Sequence, residues 1–133
     1  MAHIRKAMDR SRAEKTDGIR VVSPLLAISN LSVTFATERG QVQALDGVSL
    51  SLNAGETLAV VGESGSGKSV TALSILGLLG DSGSVSDGSI KFDGEDLTKV
   101  SGQRLREIRG NQIAFIFQEP MSSLNPVLTI GTQ

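Results

Sequence analysis

Eight consecutive residues, Gly62-Glu63-Ser64-Gly65-Ser66-Gly67-Lys68-Ser69, have types and spacing suited to holding an anion. They fit G-x-x-x-x-G-K-[ST], a pattern in which each fixed position has a physical task. Gly62, Gly65 and Gly67 allow dihedrals that other residues resist, so successive amide N–H groups can converge on phosphate oxygens with no Cβ in the way. The positive end of a helix starting near Ser69 would point at the same anion. Lys68 supplies a mobile ammonium for β and γ phosphates, and Ser69 a hydroxyl for Mg²⁺. Each such charge-assisted bond is worth about 1.5–3 kcal/mol. A flexible Gly/Ser linker would leave unexplained why Lys68 and Ser69 open an apolar helix. The chemistry indicated is the binding of a nucleotide's phosphates.

That chemistry requires a strand before the loop and a helix after it. Thr57 to Val61 is apolar on both faces, the texture of a central parallel strand covered on either side. Ser69 to Leu79 reads as a helix, with Val70, Leu73, Leu76 and Leu79 on one stripe and Gly80 placed to end it. Upstream, Leu25 to Phe35 and Val42 to Leu52 predict an antiparallel hairpin around ATERGQ. In its second arm Val48, Leu50 and Leu52 alternate with serines. Downstream, Asp81 to Gly88 reads as a Gly/Ser loop, Ser89 to Asp96 as strand and turn, and Ser101 to Arg109 as a helix capped by Ser101. In that helix Leu105 and Ile108 face inward. Ile113 to Phe117 is a second segment apolar on both faces. The order β, β, β, α, β, α, β indicates an α/β domain with an antiparallel subsheet at its start.

Composition narrows the alternatives. The 133 residues, 39% apolar and 20% charged, suit about one domain. No cysteine is present, and the one histidine is His3, so thiol catalysis, disulfides, thiolate metal sites and histidine triads are excluded. A net charge of −1 gives nucleic acid no electrostatic support as a partner. No apolar run approaches the roughly 20 residues of a membrane span, and residues 1–24 lack the apolar centre of a secretory signal. Those 24 residues carry six basic and three acidic side chains. The rest of the chain is net acidic, so a boundary between a flexible extension (1–24) and a domain (25–133) is expected near Ser23-Pro24.

Residues GESGSGKS followed by VTALSILGLL, and later IAFIFQEPMSSLNPVLTIG, resemble the ATP-binding subunit of an ABC transporter, of the peptide, nickel and glutathione importer subgroup. The resemblance runs from about Leu25 to Gln133. It implies a P-loop NTPase core of ABC ATPase type with an N-terminal antiparallel β-subdomain, ATP and Mg²⁺ as ligands, and Gly62 to Ser69 as the Walker A loop. It also implies that Gln118 is the Q-loop glutamine, reaching Mg²⁺ or the attacking water. That position suits the residue physically, because ligands collect at the carboxyl ends of parallel strands. Lys68 and Gln118 are thereby the catalytic candidates, and Ser69 and Gln118 the metal candidates. Phe35 matches the aromatic that stacks on adenine, although a strand phenylalanine buried in its own core fits the same position. Residues 119–133 resemble the part that faces the membrane subunits, with Met121, Leu124 and Val127 as an apolar contact surface. A loop packed on its own domain remains open there, since Asn125-Pro126 is turn chemistry.

The resemblance further implies membrane-spanning permease subunits and a second ATP-binding subunit as partners, a solute-binding protein indirectly, and a cytoplasmic place on the inner face of the membrane. The family's domain is longer than this chain, so the core is expected to be truncated after the Q-loop. Two Walker B candidates fail: Ile90 to Asp93 is broken by Lys91, and Ile113 to Phe117 ends in Gln118 rather than Asp. Val100 to Arg104 superficially matches the LSGGQ signature, but it lacks a glycine and precedes Gln118, so it reads as a turn into the 101–109 helix. The expectation is ATP binding without turnover by these residues alone, with hydrolysis and import in the full-length form. Apolar faces of 57–61 and 113–117 should be left partly uncovered. Two other classes stay open: a non-catalytic nucleotide-binding module or regulator, and a soluble ABC-type ATPase acting on nucleic acid or ribosomes.

Overall fold

A computed structural model of the chain describes residues 23–117 and 125–133. The expected extension at 1–24 falls almost wholly outside the described residues. Two long strands come first, β1 (Leu26–Thr37) and β2 (Gly40–Leu52), then α1 (Lys68–Ile75), β3 (Gly83–Phe92), β4 (Glu95–Asp96) and α2 (Gly102–Ile108). The strands form one antiparallel sheet in the order β2-β1-β3-β4. Glu38 and Arg39 turn β1 into β2, and the Thr37 hydroxyl donates to the Gly40 carbonyl at 2.6 Å to close the hairpin. None of the described helices is long and apolar enough to cross a membrane.

The buried face of β1 changes phase midway. Leu26 and Ile28 point into the core, then Leu31 and Val33 do so, because the register slips at Asn30 against both neighbouring strands. A bulge of this kind inserts one residue and leaves backbone groups without ladder partners. Side chains supply them. Ser49 Oγ accepts from the Asn30 amide at 2.8 Å, and Ser32 Oγ accepts from the Gly47 amide at 3.0 Å. Across the bulge, a Cβ on Gly88 would lie 2.5 Å from the Ser29 and Asn30 carbonyl oxygens, so only glycine fits there. The core is completed by Leu45, Leu76, Ile90, Phe92, Leu97, Ile108 and Ile113. Arg104 ties α2 to β4 through a forked pair with Glu95, Nε and Nη2 donating to its carboxylate at 3.0 and 2.8 Å.

Four expectations are corrected. First, α1 ends at Ile75 rather than Leu79, because Gly77 adopts φ +61° and turns the chain out of the helix. Of the expected stripe, Leu76 is in the core and Val70 and Leu79 pack against it, while within the helix itself the buried residues are Thr71 and Ser74. Their hydroxyls donate to the carbonyls four residues back, Gly67 at 3.0 Å and Val70 at 2.7 Å, so burial leaves no polar atom unpaired.

Second, most of the loop expected over 81–88 is strand. Gly83, Ser84 and Val85 pair with Phe35, Thr34 and Val33 along β1. Gly83 is required beneath the Phe35 ring, where a Cβ would stand 2.7 Å from Cε1.

Third and fourth, neither 57–61 nor 113–117 joins a sheet among the described residues. The parallel layer expected from them is represented by one bridge, between Arg109 and Ile113. A strand is a property of a pair, and an extended segment with no neighbour has nowhere to place its N–H and C=O groups except water. Leu58, Val60, Val61, Ile116 and Phe117 are accordingly exposed, Val61 at 88%.

Candidate phosphate-binding loop

The loop is shaped by its glycines in two different ways. Gly65 and Gly67 take φ +82° and +88°, the left-handed region that side chains resist. Gly62 does not, and its requirement is space, since a Cβ there would lie 2.6 Å from Ser66 Oγ. The Ser66 amide donates to the Glu63 carbonyl at 3.2 Å, which closes the turn through Ser64 and Gly65. Gly67 then caps α1 with no side-chain acceptor, and the first turn contains no acidic residue. Thr71 N–H donates to the Gly67 carbonyl at 2.8 Å as the opening helical bond. Amides of the preceding turn therefore have no partner inside the helix, and its positive end is left for an external anion.

Lys68 folds back over this loop. Its Nζ donates to the carbonyls of Gly62 at 2.7 Å and Glu63 at 2.6 Å, with Ser66 Oγ at 3.3 Å. The ammonium thus stands on the loop's own carbonyls. Ser69, the second helical residue, is exposed. Lys68, Ser69 and the loop glycines are brought together as the spacing requires, and Glu63, Ser64 and Ser66 line the same turn.

Two supports were not visible from the motif. Leu45 of β2 packs directly under Gly67. Arg109, at the end of α2, donates from Nε to the Leu76 carbonyl at 2.8 Å and from Nη2 to the Gly77 carbonyl at 3.0 Å. The alternation of β2 could have marked Leu45 as buried, but nothing in the order of residues says what lies above it.

Phe35 lies on β1 with its ring half-buried over Gly83, in contact with the apolar core. Gln118, Met121 and Leu124 lie outside the described residues. Val127 is exposed, in a turn where Asn125 Oδ1 accepts from its amide at 3.0 Å. The region Val100 to Arg104 behaves as a helix start, with Ser101 Oγ accepting from the Arg104 amide at 3.2 Å. No group of three or more His, Cys, Asp or Glu side chains among the described residues is arranged to hold a metal ion.

Comparison with known proteins places this geometry in a family. The chain is 55% identical over 111 residues to a putative peptide import ATP-binding protein of Brucella abortus, covering 84% of this chain and 33% of that protein. It is 52% identical over 113 residues to an oligopeptide transport ATP-binding protein of Bacillus subtilis, covering 84% and 34%. With an uncharacterized ABC transporter ATP-binding protein of Escherichia coli the identity is 59% over 111 residues, covering 82% and 21%. The chain spans about a third of the length of the first two. Residues 45–133, well over half of the chain, match the family described as ABC transporter, and the chain belongs to that family.

Proposed function

We propose that residues 62–69 hold the phosphates of ATP, and that this binding serves ATP-driven uptake of peptides or related small solutes. The observation that carries the reading is the juxtaposition at the start of α1. The Lys68 ammonium lies within 2.7 Å of two loop carbonyls, next to amides that the helix leaves without acceptors. On phosphate binding, Lys68 exchanges those carbonyls for β and γ oxygens, while the amides after Gly65 donate to the remaining phosphate oxygens. Ser69 offers one hard oxygen to Mg²⁺. Gln118 is the second proposed metal and water contact.

Phe35 is proposed to offer one ring face to adenine while its edge stays on Gly83. The peptide assignment rests on the names of the Brucella and Bacillus relatives. Permease subunits, a second ATP-binding subunit and a place at the inner membrane face are proposed on the same ground. The domain is proposed to begin near Leu25.

Equilibrium titration with a fluorescent ATP analogue and Mg²⁺, competed by ATP, tests the reading. Saturable binding that Lys68→Ala removes is expected. Binding that survives Lys68→Ala unchanged would move the phosphate site elsewhere.

A further inference from the structure

Helix α1 is short; Val70, Ile75 and Leu76 pack it on the apolar core, and its polar ties to other elements are few. It spans eight residues, Lys68–Ile75, or about 12 Å at 1.5 Å per residue. Its front end rests on β2 where Gly67 meets Leu45. Its own buried hydroxyls, Thr71 and Ser74, bond within the helix and reach nothing outside it. Among the described residues, the only hydrogen bonds joining residues 62–79 to another element are the two from Arg109 to the Leu76 and Gly77 carbonyls. Those carbonyls belong to the cap and to the residue just past it, beside the helix's negative end, where a guanidinium is favourable both as donor and as charge.

The contact is close as well as polar. A Cβ on Gly77 would lie 3.0 Å from Leu105 Cδ1 and 3.3 Å from Arg109 Nη2, so side chains of α2 and its cap sit tight against the turn that ends α1. Arg109 is half-buried and forks across two carbonyls, a geometry that lysine, with a single point charge, reproduces in part.

We infer that Arg109 is a positioning residue for the phosphate loop: it sets the tilt of α1, and so the direction of the first-turn amides, Lys68 and Ser69, from the far end of the helix. The lever is short. A displacement of about 1 Å at the Leu76 end of a roughly 12 Å rod tilts it by about 5°, which re-aims several first-turn donors together. This inference rests on the nucleotide-binding reading of residues 62–69 and adds to it a control point on α2, more than 30 residues downstream of the loop.

The test uses the whole 133-residue chain, titrated with the fluorescent ATP analogue and Mg²⁺ at low temperature, with far-UV circular dichroism to verify folding. Wild type, Arg109→Lys and Arg109→Gln are compared. The expected result is a graded loss, about threefold for lysine and about tenfold for glutamine, with unchanged dichroism. A residue that merely stabilises the fold would lower the melting temperature and leave the affinity of the folded protein the same in all three. Equal affinities overturn the inference while leaving the nucleotide site intact. If Arg109→Gln does not fold, wild type against Arg109→Lys decides: a threefold loss supports positioning, and equality overturns it. A wild-type chain that binds no nucleotide overturns the phosphate-site reading and the positioning role with it.

Discussion

A Cβ on Gly67 would stand 2.5 Å from Leu45 Cδ2 and 3.3 Å from the Ala44 carbonyl oxygen, so the start of α1 rests directly on β2. Position 67 therefore carries two constraints at once, a left-handed backbone and a missing side chain.

Gly67→Ala is expected to cost about 1–2 kcal/mol for the left-handed backbone alone, with the clash added. Leu45→Ala opens space beneath it. In that background the cost of Gly67→Ala should shrink, which a double-mutant cycle on denaturant midpoints reads directly. Equal costs in both backgrounds would mean that Leu45 is not the obstacle.

Lys68→Ala is expected to weaken ATP binding by ten- to a hundredfold, from a loss of about 1.5–3 kcal/mol in charge-assisted bonds. Phosphate release by wild type should stay at background. Turnover above background that disappears in Lys68→Ala would show that the chain hydrolyses ATP with the residues it has.

Leu31 is fully buried at the bulge of β1. Leu31→Ala should lower unfolding free energy by about 2–5 kcal/mol, the range for emptying a well-packed leucine site. A urea titration followed by circular dichroism measures it, and a change below about 1 kcal/mol would show that the sheet core relaxes around the gap.

Asp96 links β4 to the approach of α2. Burial by itself would raise its pKa, but hydrogen bonds from Lys99 and from the Thr98 hydroxyl and amide outweigh it and hold the carboxyl down at about 2, against an ordinary 3.8. Glu95 is also lowered, chiefly by its hydrogen bond with Arg104, with burial opposing and the Arg104 charge assisting. A folded pKa below the unfolded one contributes stability that is complete above the unfolded value and is lost as pH falls through the folded one. Stability should therefore decline between about pH 4 and pH 2, with a shallower slope in Asp96→Asn. An identical slope in wild type and Asp96→Asn would remove Asp96 from the acid transition.

Leu58, Val60, Val61, Ile116 and Phe117 are exposed on extended backbone with no ladder partner. Unpaired apolar edges of this kind associate. Sedimentation velocity should show concentration-dependent self-association, reduced in Val61→Asp combined with Phe117→Ser. A wild-type monomer at high micromolar concentration would show that these segments are covered in solution.

The conformation of the 62–69 loop was legible in the sequence because its shape is local. Gly65 and Gly67 take the left-handed conformations that the motif's spacing asks of them, and Lys68 and Ser69 follow within two residues. The β1–β2 hairpin and the Ser101-capped α2 were legible for the same reason, through alternation, the turn in ATERGQ and one capping hydroxyl, although the strands run closer to the turn than expected. The phase change at Asn30 was not, since a bulge is defined by what β2 and β3 do opposite it.

Sequence order by itself determined the shape of the 62–69 loop, because dihedral limits and short spacings act between neighbours in the chain. Tertiary structure decided that Gly83 to Gly88 would be strand, because the edge of β1 was there to pair with it. It also decided that 57–61 and 113–117 would stay outside the sheet, for lack of a partner among the described residues. Only the fold brings Leu45 under one end of α1 and Arg109 to the other. These contacts cross 22 and 33 positions of sequence, and their energy depends on which surfaces meet, a property no single segment carries.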